Sequence, residues 1–144
     1  MLGRTFLQGV FMNKRLPATI LGLLVLQFLL GILASLYQEI PKGLEKYSVY
    51  HQPGFILVHV VNALALVVLS IILLVKAKRK KLSKKVVSTA VGGLGSIVVA
   101  YAAGILFVET ANDLFSVLMA LGFIGAFLPY ARLVYGPELS SKQA

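Results

Sequence analysis

The chain has no cysteine, and only five acidic residues stand against 14 basic ones in its 144 positions. Lack of cysteine excludes disulfides, thiolate metal sites and cysteine nucleophiles. The acids Glu39, Glu45, Glu109, Asp113 and Glu138 all fall outside the long apolar runs. No carboxylate is therefore placed inside those runs to bind a coupling ion, as a small four-span proton-coupled exporter would need, and none is paired there for acid–base work. No phosphate-binding glycine loop or nucleophile elbow occurs either. Gly92, Gly93 and Gly95 lie within an apolar run and read as helix-packing residues. Histidine is equally scarce: His51 and His59 are the only two.

What the chain does have is apolar length. Hydrophobic residues make up 58% of it, charged residues 13%, and the mean hydropathy is +0.89. Four blocks, residues 17–36, 53–75, 86–108 and 114–133, reach the length of about 20 residues that spans a hydrocarbon core of about 30 Å as a helix. They lack the alternation of barrel strands, and a bilayer offers no partners to an unpaired backbone, so each block is expected to be helical. The expectation is an all-α integral membrane protein: one membrane domain over residues 1–144, folded as an up-down-up-down four-helix bundle. Residues 1–15 read as a retained interfacial amphipathic segment and residues 136–144 as a polar tail.

The basic surplus reports orientation. Arg4, Lys14, Arg15, Lys76, Lys78, Arg79, Lys80, Lys81, Lys84, Lys85, Arg132 and Lys142 share one side if the N-terminus is cytoplasmic, leaving only Lys42 and Lys46 opposite. The positive-inside rule then implies both termini in the cytoplasm of a cell lined by this multi-pass plasma-membrane protein. The run from Lys76 to Lys85 is expected to meet anionic lipid headgroups. It has no interleaved aromatics, so nucleic acid is not an expected partner.

The second block, which opens after His51 in YHQPGF, carries the remaining histidine at depth. Counting 100° and 1.5 Å per residue, Asn62, Ala63 and Ser70 share the side of His59, while Val61, Leu64, Val68 and Ile72 cover the other. In the first block Gln27, Gly31, Ala34 and Gln38 form one small and polar stripe. The third has Gly92, Ser96, Ala100 and Gly104 every four positions, a ridge on which helices approach closely, and the fourth has Gly122 and Ala126. By depth, Gln27, His59, Asn62 and Tyr101 all lie about 9 to 14 Å below one membrane boundary, so they are expected to form one cluster. A weak repeat links Leu21-Gly22, Phe28 and Gly31-Ile32-Leu33 to Leu94-Gly95, Tyr101 and Gly104-Ile105-Leu106. As a parallel duplication it makes Ser116 the counterpart of His59.

Such a cluster reads first as an interhelical hydrogen-bond network, and the sharper reading of its buried imidazole is haem b. Two histidines about 12 Å apart on one helix cannot bind both faces of one iron, so a haem on His59 needs Met119, a second subunit's histidine, or an open position. His51, Glu39, Glu109 and Asp113 could gather at one rim but follow no metal-ligand spacing. The run Gln27-Phe28-Leu29-Leu30-Gly31, followed by a span opening with a histidine region, resembles the four-helix haem-binding membrane domains, including each half of haem A synthase. The likeness covers the first two spans. Because the fourth span lacks a histidine and no glutamate precedes His59 as in haem A synthase, it implies at most a degenerate or regulatory relative, and no enzymatic activity carries over.

With so few chemistry-bearing groups, the expectation is a non-catalytic membrane subunit or accessory protein of an electron-transfer or respiratory complex. It would pack against itself or larger membrane subunits and bind haem b or quinone near His59. Gln27, Asn62 and Tyr101 would accompany that histidine, and His51 and Met119 are further candidates. The alternative is an oligomeric transporter with a polar path through Gln27, His59, Asn62 and Tyr101.

Overall fold

In the computed structural model, residues 14–37 and 54–136 are described. Residues 1–13, the segment carrying Gln38, Tyr47, Tyr50 and His51, and the tail from residue 137 lie outside this set. The described chain is all helical: α1 (Arg15–Tyr37), α2 (Gly54–Arg79), α3 (Lys84–Thr110) and α4 (Asp113–Tyr135). Each is long and apolar enough to cross a membrane.

The helices outrun the apolar blocks because their ends are capped by polar chemistry. α2 continues through Lys76, Lys78 and Arg79, cations that suit the negative end of the helix dipole. It stops where Lys81 takes a left-handed conformation (φ 49°) and the Leu82 amide turns back to the Ala77 carbonyl at 3.1 Å. Ser83 then caps α3, its hydroxyl accepting from the Val86 amide. At the other end of α3, Ala111 is also left-handed (φ 49°), and Asn112, rather than Asp113, caps α4 by accepting from the Leu114 amide at 3.0 Å.

Each helix packs on two others. α1 touches α2 and α4, α3 touches α2 and α4, and the pairs α1/α3 and α2/α4 are diagonal. Between α1 and α2 the paired positions run in opposite directions: Leu23 and Gln27 meet Asn62, while Gly31 meets His59. Between α3 and α4 they do the same, Gly93 with Tyr130, Ser96 with Gly125, Ala100 with Gly122, and Gly104 with Met119.

The α3/α4 seam is built on glycine. A Cβ on Gly122 would stand 2.7 Å from the Ala100 Cβ and 3.0 Å from the Ser96 carbonyl oxygen; on Gly93 it would meet the Tyr130 ring at 2.8 Å. The ridge is thus Gly93, Ser96, Ala100 and Gly104. Gly92, expected on it, is exposed. Steps of four gain about 40° per step on a 3.6-residue helix, so a ridge holding one neighbour needs a step of three. Phe28 of α1 stacks on Phe123 of α4, ring centroids 4.8 Å apart, closing the ring of helices.

Burial is concentrated toward the α2–α3 turn. Ile20, Leu24, Leu66, Leu73, Ala77, Val86, Ala90, Ala126, Tyr130 and Leu133 form one cluster there. Val61, Leu64, Val68 and Ile72 of α2 are exposed, as the angular count requires for a lipid-facing side. Toward the other end the buried set among the described residues comes down to Leu30, Asn62 and Ala103. His59 lies in this thinner half.

Candidate functional site

Three of the four expected cluster members meet. His59 and Asn62 are three residues apart on α2 and so share a face, which lies on Gln27 of α1. Asn62 donates from Nδ2 twice, to the backbone carbonyl of Leu23 at 3.0 Å and to Gln27 Oε1 at 2.7 Å. Gln27 Nε2 then lies 3.0 Å from His59 Nε2.

This chain has only one consistent polarity. The Leu23 carbonyl is a helix backbone oxygen and can only accept, so it fixes Asn62 with its amide nitrogen inward. That makes Gln27 present its oxygen to Asn62 and its nitrogen to His59. An amide nitrogen cannot accept, so His59 Nε2 must be the acceptor, and the ring proton must sit on Nδ1. Reversing both amides would set Asn62 Oδ1 against the Leu23 carbonyl, two acceptors face to face. An imidazolium is excluded as well, since both its nitrogens donate. His59 is therefore held as the neutral Nδ1–H tautomer.

The far nitrogen is left over. His59 Nδ1 is buried and has no hydrogen-bond partner among the described residues. A buried donor left without an acceptor costs about 1–3 kcal/mol. The neighbouring ring carbon, Cε1, faces Gly31, where a Cβ would stand 3.7 Å away. Gly31 presents no side chain of its own to that edge.

Tyr101 does not join the cluster. It is 39% exposed on α3, which stands diagonally across the bundle from α1. Its neighbour Ala100 takes the place against α4, and one residue is about 100° of helix rotation, which turns Tyr101 outward. Matching depth without matching rotation is not proximity. Met119 lies over Gly104 in the α3/α4 seam, with its Sδ 3.3 Å from where a Cβ would be, rather than opposite His59. His51 lies outside the described residues. No group of three or more His, Asp or Glu side chains able to hold a metal ion occurs among the described residues.

A second polar pair went unread in the sequence. Ser70 of α2 and Tyr130 of α4 are both fully buried in the α2–α3 turn half. Ser70 donates to the Leu66 carbonyl at 2.6 Å, and the Tyr130 hydroxyl approaches Ser70 without a well-formed bond. Their signal was the stacking of Asn62, Leu66, Ser70, Leu73 and Ala77 on one face of α2. Leu66, only 2% exposed, stands between this pair and the Asn62 cluster.

The weak repeat acquires a different register. Gly31 against His59 matches Gly104 against Met119, and Leu23 with Asn62 matches Ser96 with Gly122. In these contacts Met119 takes the place in the α3/α4 hairpin that His59 takes in α1/α2, and Gly122 that of Asn62. Comparison with family models, curated proteins and solved structures finds no match to this chain.

Proposed function

We propose that the chain is a small, non-catalytic plasma-membrane subunit or accessory protein of an electron-transfer assembly, with a ligand site at His59 in the α1/α2 seam. The hydrogen-bonded series from the Leu23 carbonyl through Asn62 and Gln27 to His59 carries this reading. A polar series whose last member keeps an unused donor suits ligand binding better than simple helix adhesion, which would leave nothing over.

Of the two cofactors considered, quinone has more support than haem b. Haem ligation needs an imidazole lone pair, and the one on His59 Nε2 is engaged by Gln27, while Nδ1 carries the proton. A quinone needs a donor. The bundle is read as up-down-up-down with cytoplasmic termini because Lys76, Lys78, Arg79, Lys80, Lys81, Lys84 and Lys85 meet Arg15 and Arg132 at one end, while Glu109 and Asp113 mark the other. The basic end would rest on anionic headgroups. Docking to a larger subunit or a second copy has support in a shallow groove of about 370 Å³ between α3 and α4, lined by Gly92, Gly95 and Gly122.

The transporter alternative has less to rest on, since Tyr101 faces outward and Leu66 plugs the face below Asn62. Native mass analysis from mild detergent tests the subunit reading. A larger assembly is expected, and a stable lone monomer would contradict it.

A further inference from the structure

We infer that His59 Nδ1–H is the recognition point for a neutral carbonyl oxygen carried by a membrane-soluble molecule, either a quinone ring or the ester group of a lipid. The inference rests on the ligand-site reading above and gives it a chemical class.

Four observations combine. First, the donor's identity is set by a backbone carbonyl three hydrogen bonds away, so the site presents an N–H and has no free lone pair on either ring nitrogen. Metal ions and cationic ligands are thereby disfavoured, and acceptors are selected. Second, Nδ1 is buried within the apolar span with no partner among the described residues, and an N–H in that setting gains most from a strong, uncharged acceptor. Third, the site is shallow: His59 is five residues from the start of α2, about 7.5 Å along the axis. That depth suits a polar head whose apolar tail continues along the exposed apolar side chains of α1 and α2. Fourth, a Cβ on Gly31 would lie 3.7 Å from His59 Cε1, so α1 holds the ring at contact distance without a side chain, and a bulkier residue there would displace the Nδ1 donor. Binding is hydrogen bonding only and needs no redox step.

The test uses full-length protein, labelled with ¹⁵N-histidine and purified in an ester-free maltoside detergent. The His59 Nδ1–H resonance is followed during separate additions of decylubiquinone and of phosphatidylcholine. A saturable shift with either is expected, and the additive that saturates at the lower concentration identifies the source. Gly31→Leu, whose longer side chain would press on the ring at Cε1 and displace the donor, should raise the half-saturating concentration by about tenfold, the value of one hydrogen bond. Gly31→Ala guards against misfolding: its added Cβ meets Cε1 only at ordinary contact distance and should leave the titration nearly unchanged. A resonance already hydrogen-bonded and unmoved by either additive would show that the chain supplies its own acceptor, and would overturn the inference. A saturable shift equal in wild type and Gly31→Leu would place the ligand elsewhere and overturn it too. A His59-dependent Soret band in protein from haem-replete cells would overturn it in favour of haem, leaving the wider ligand-site reading intact.

Discussion

At the scale of single residues, the chemistry depends on which atom faces which. His59 was conspicuous in the sequence as the one histidine deep in an apolar run, and Asn62 and Gln27 were legible beside it from helix angle and depth. The sequence could not show that Leu23, an unremarkable leucine, supplies the carbonyl that orders all three. A backbone oxygen leaves no mark on residue type. The cost of breaking this series is testable. Asn62→Leu removes both of its hydrogen bonds and should destabilise the bundle by about 1–2 kcal/mol, measured by reversible unfolding in mixed micelles. Combined with Gln27→Leu, the two losses should be less than additive, because both variants break the Asn62–Gln27 bond. Strict additivity would mean that the bond contributes nothing. Tyr101 illustrates the opposite error. A depth counted along the sequence says nothing of rotation, and a single residue of helix phase put Tyr101 on the exposed surface.

At the scale of elements, four helices were readable from apolar length, since nothing else satisfies a backbone in lipid. Their ends were less so, because caps and left-handed residues extend or stop a helix independently of hydrophobicity. The two hairpin turns show this: Lys81 and Ala111 each hold a left-handed conformation that favours glycine. Ala111→Gly should therefore raise stability by about 0.5–1 kcal/mol if the relief of strain outweighs the added chain entropy. Unchanged or lowered stability would show that the turn tolerates alanine without strain. The α3/α4 seam should respond in the other direction. Gly122→Val sets methyl groups into Ala100 and the Ser96 carbonyl and should cost about 1–3 kcal/mol, whereas Gly92→Val on the exposed side should cost under ~1 kcal/mol. Where the second hairpin has Gly122, the first has Asn62, so one seam closes by backbone approach and the other by hydrogen bonds.

For the whole molecule, the distribution of burial and charge carries the account. The core is dense toward the α2–α3 turn and thin at the opposite end, where His59 sits, and the basic residues crowd the dense end. Because the chain has no cysteine, single cysteines report orientation without a background. Lys80→Cys should be shielded from a membrane-impermeant maleimide added to intact cells and should react after permeabilisation, while Thr110→Cys should react in both. The reverse pattern would invert the topology and place the basic run outside. Composition made the membrane class plain from the start. Partner and ligand were not legible there, since they depend on exposed faces and on one proton's position, neither of which composition encodes.

That proton is the central claim, and it can be observed directly. In full-length protein carrying His51→Gln, so that a single ¹⁵N-labelled histidine remains, the account predicts that His59 shows one-bond ¹⁵N–¹H coupling at Nδ1 and none at Nε2. A protonated Nε2, or a ring protonated at both nitrogens at neutral pH, would contradict it.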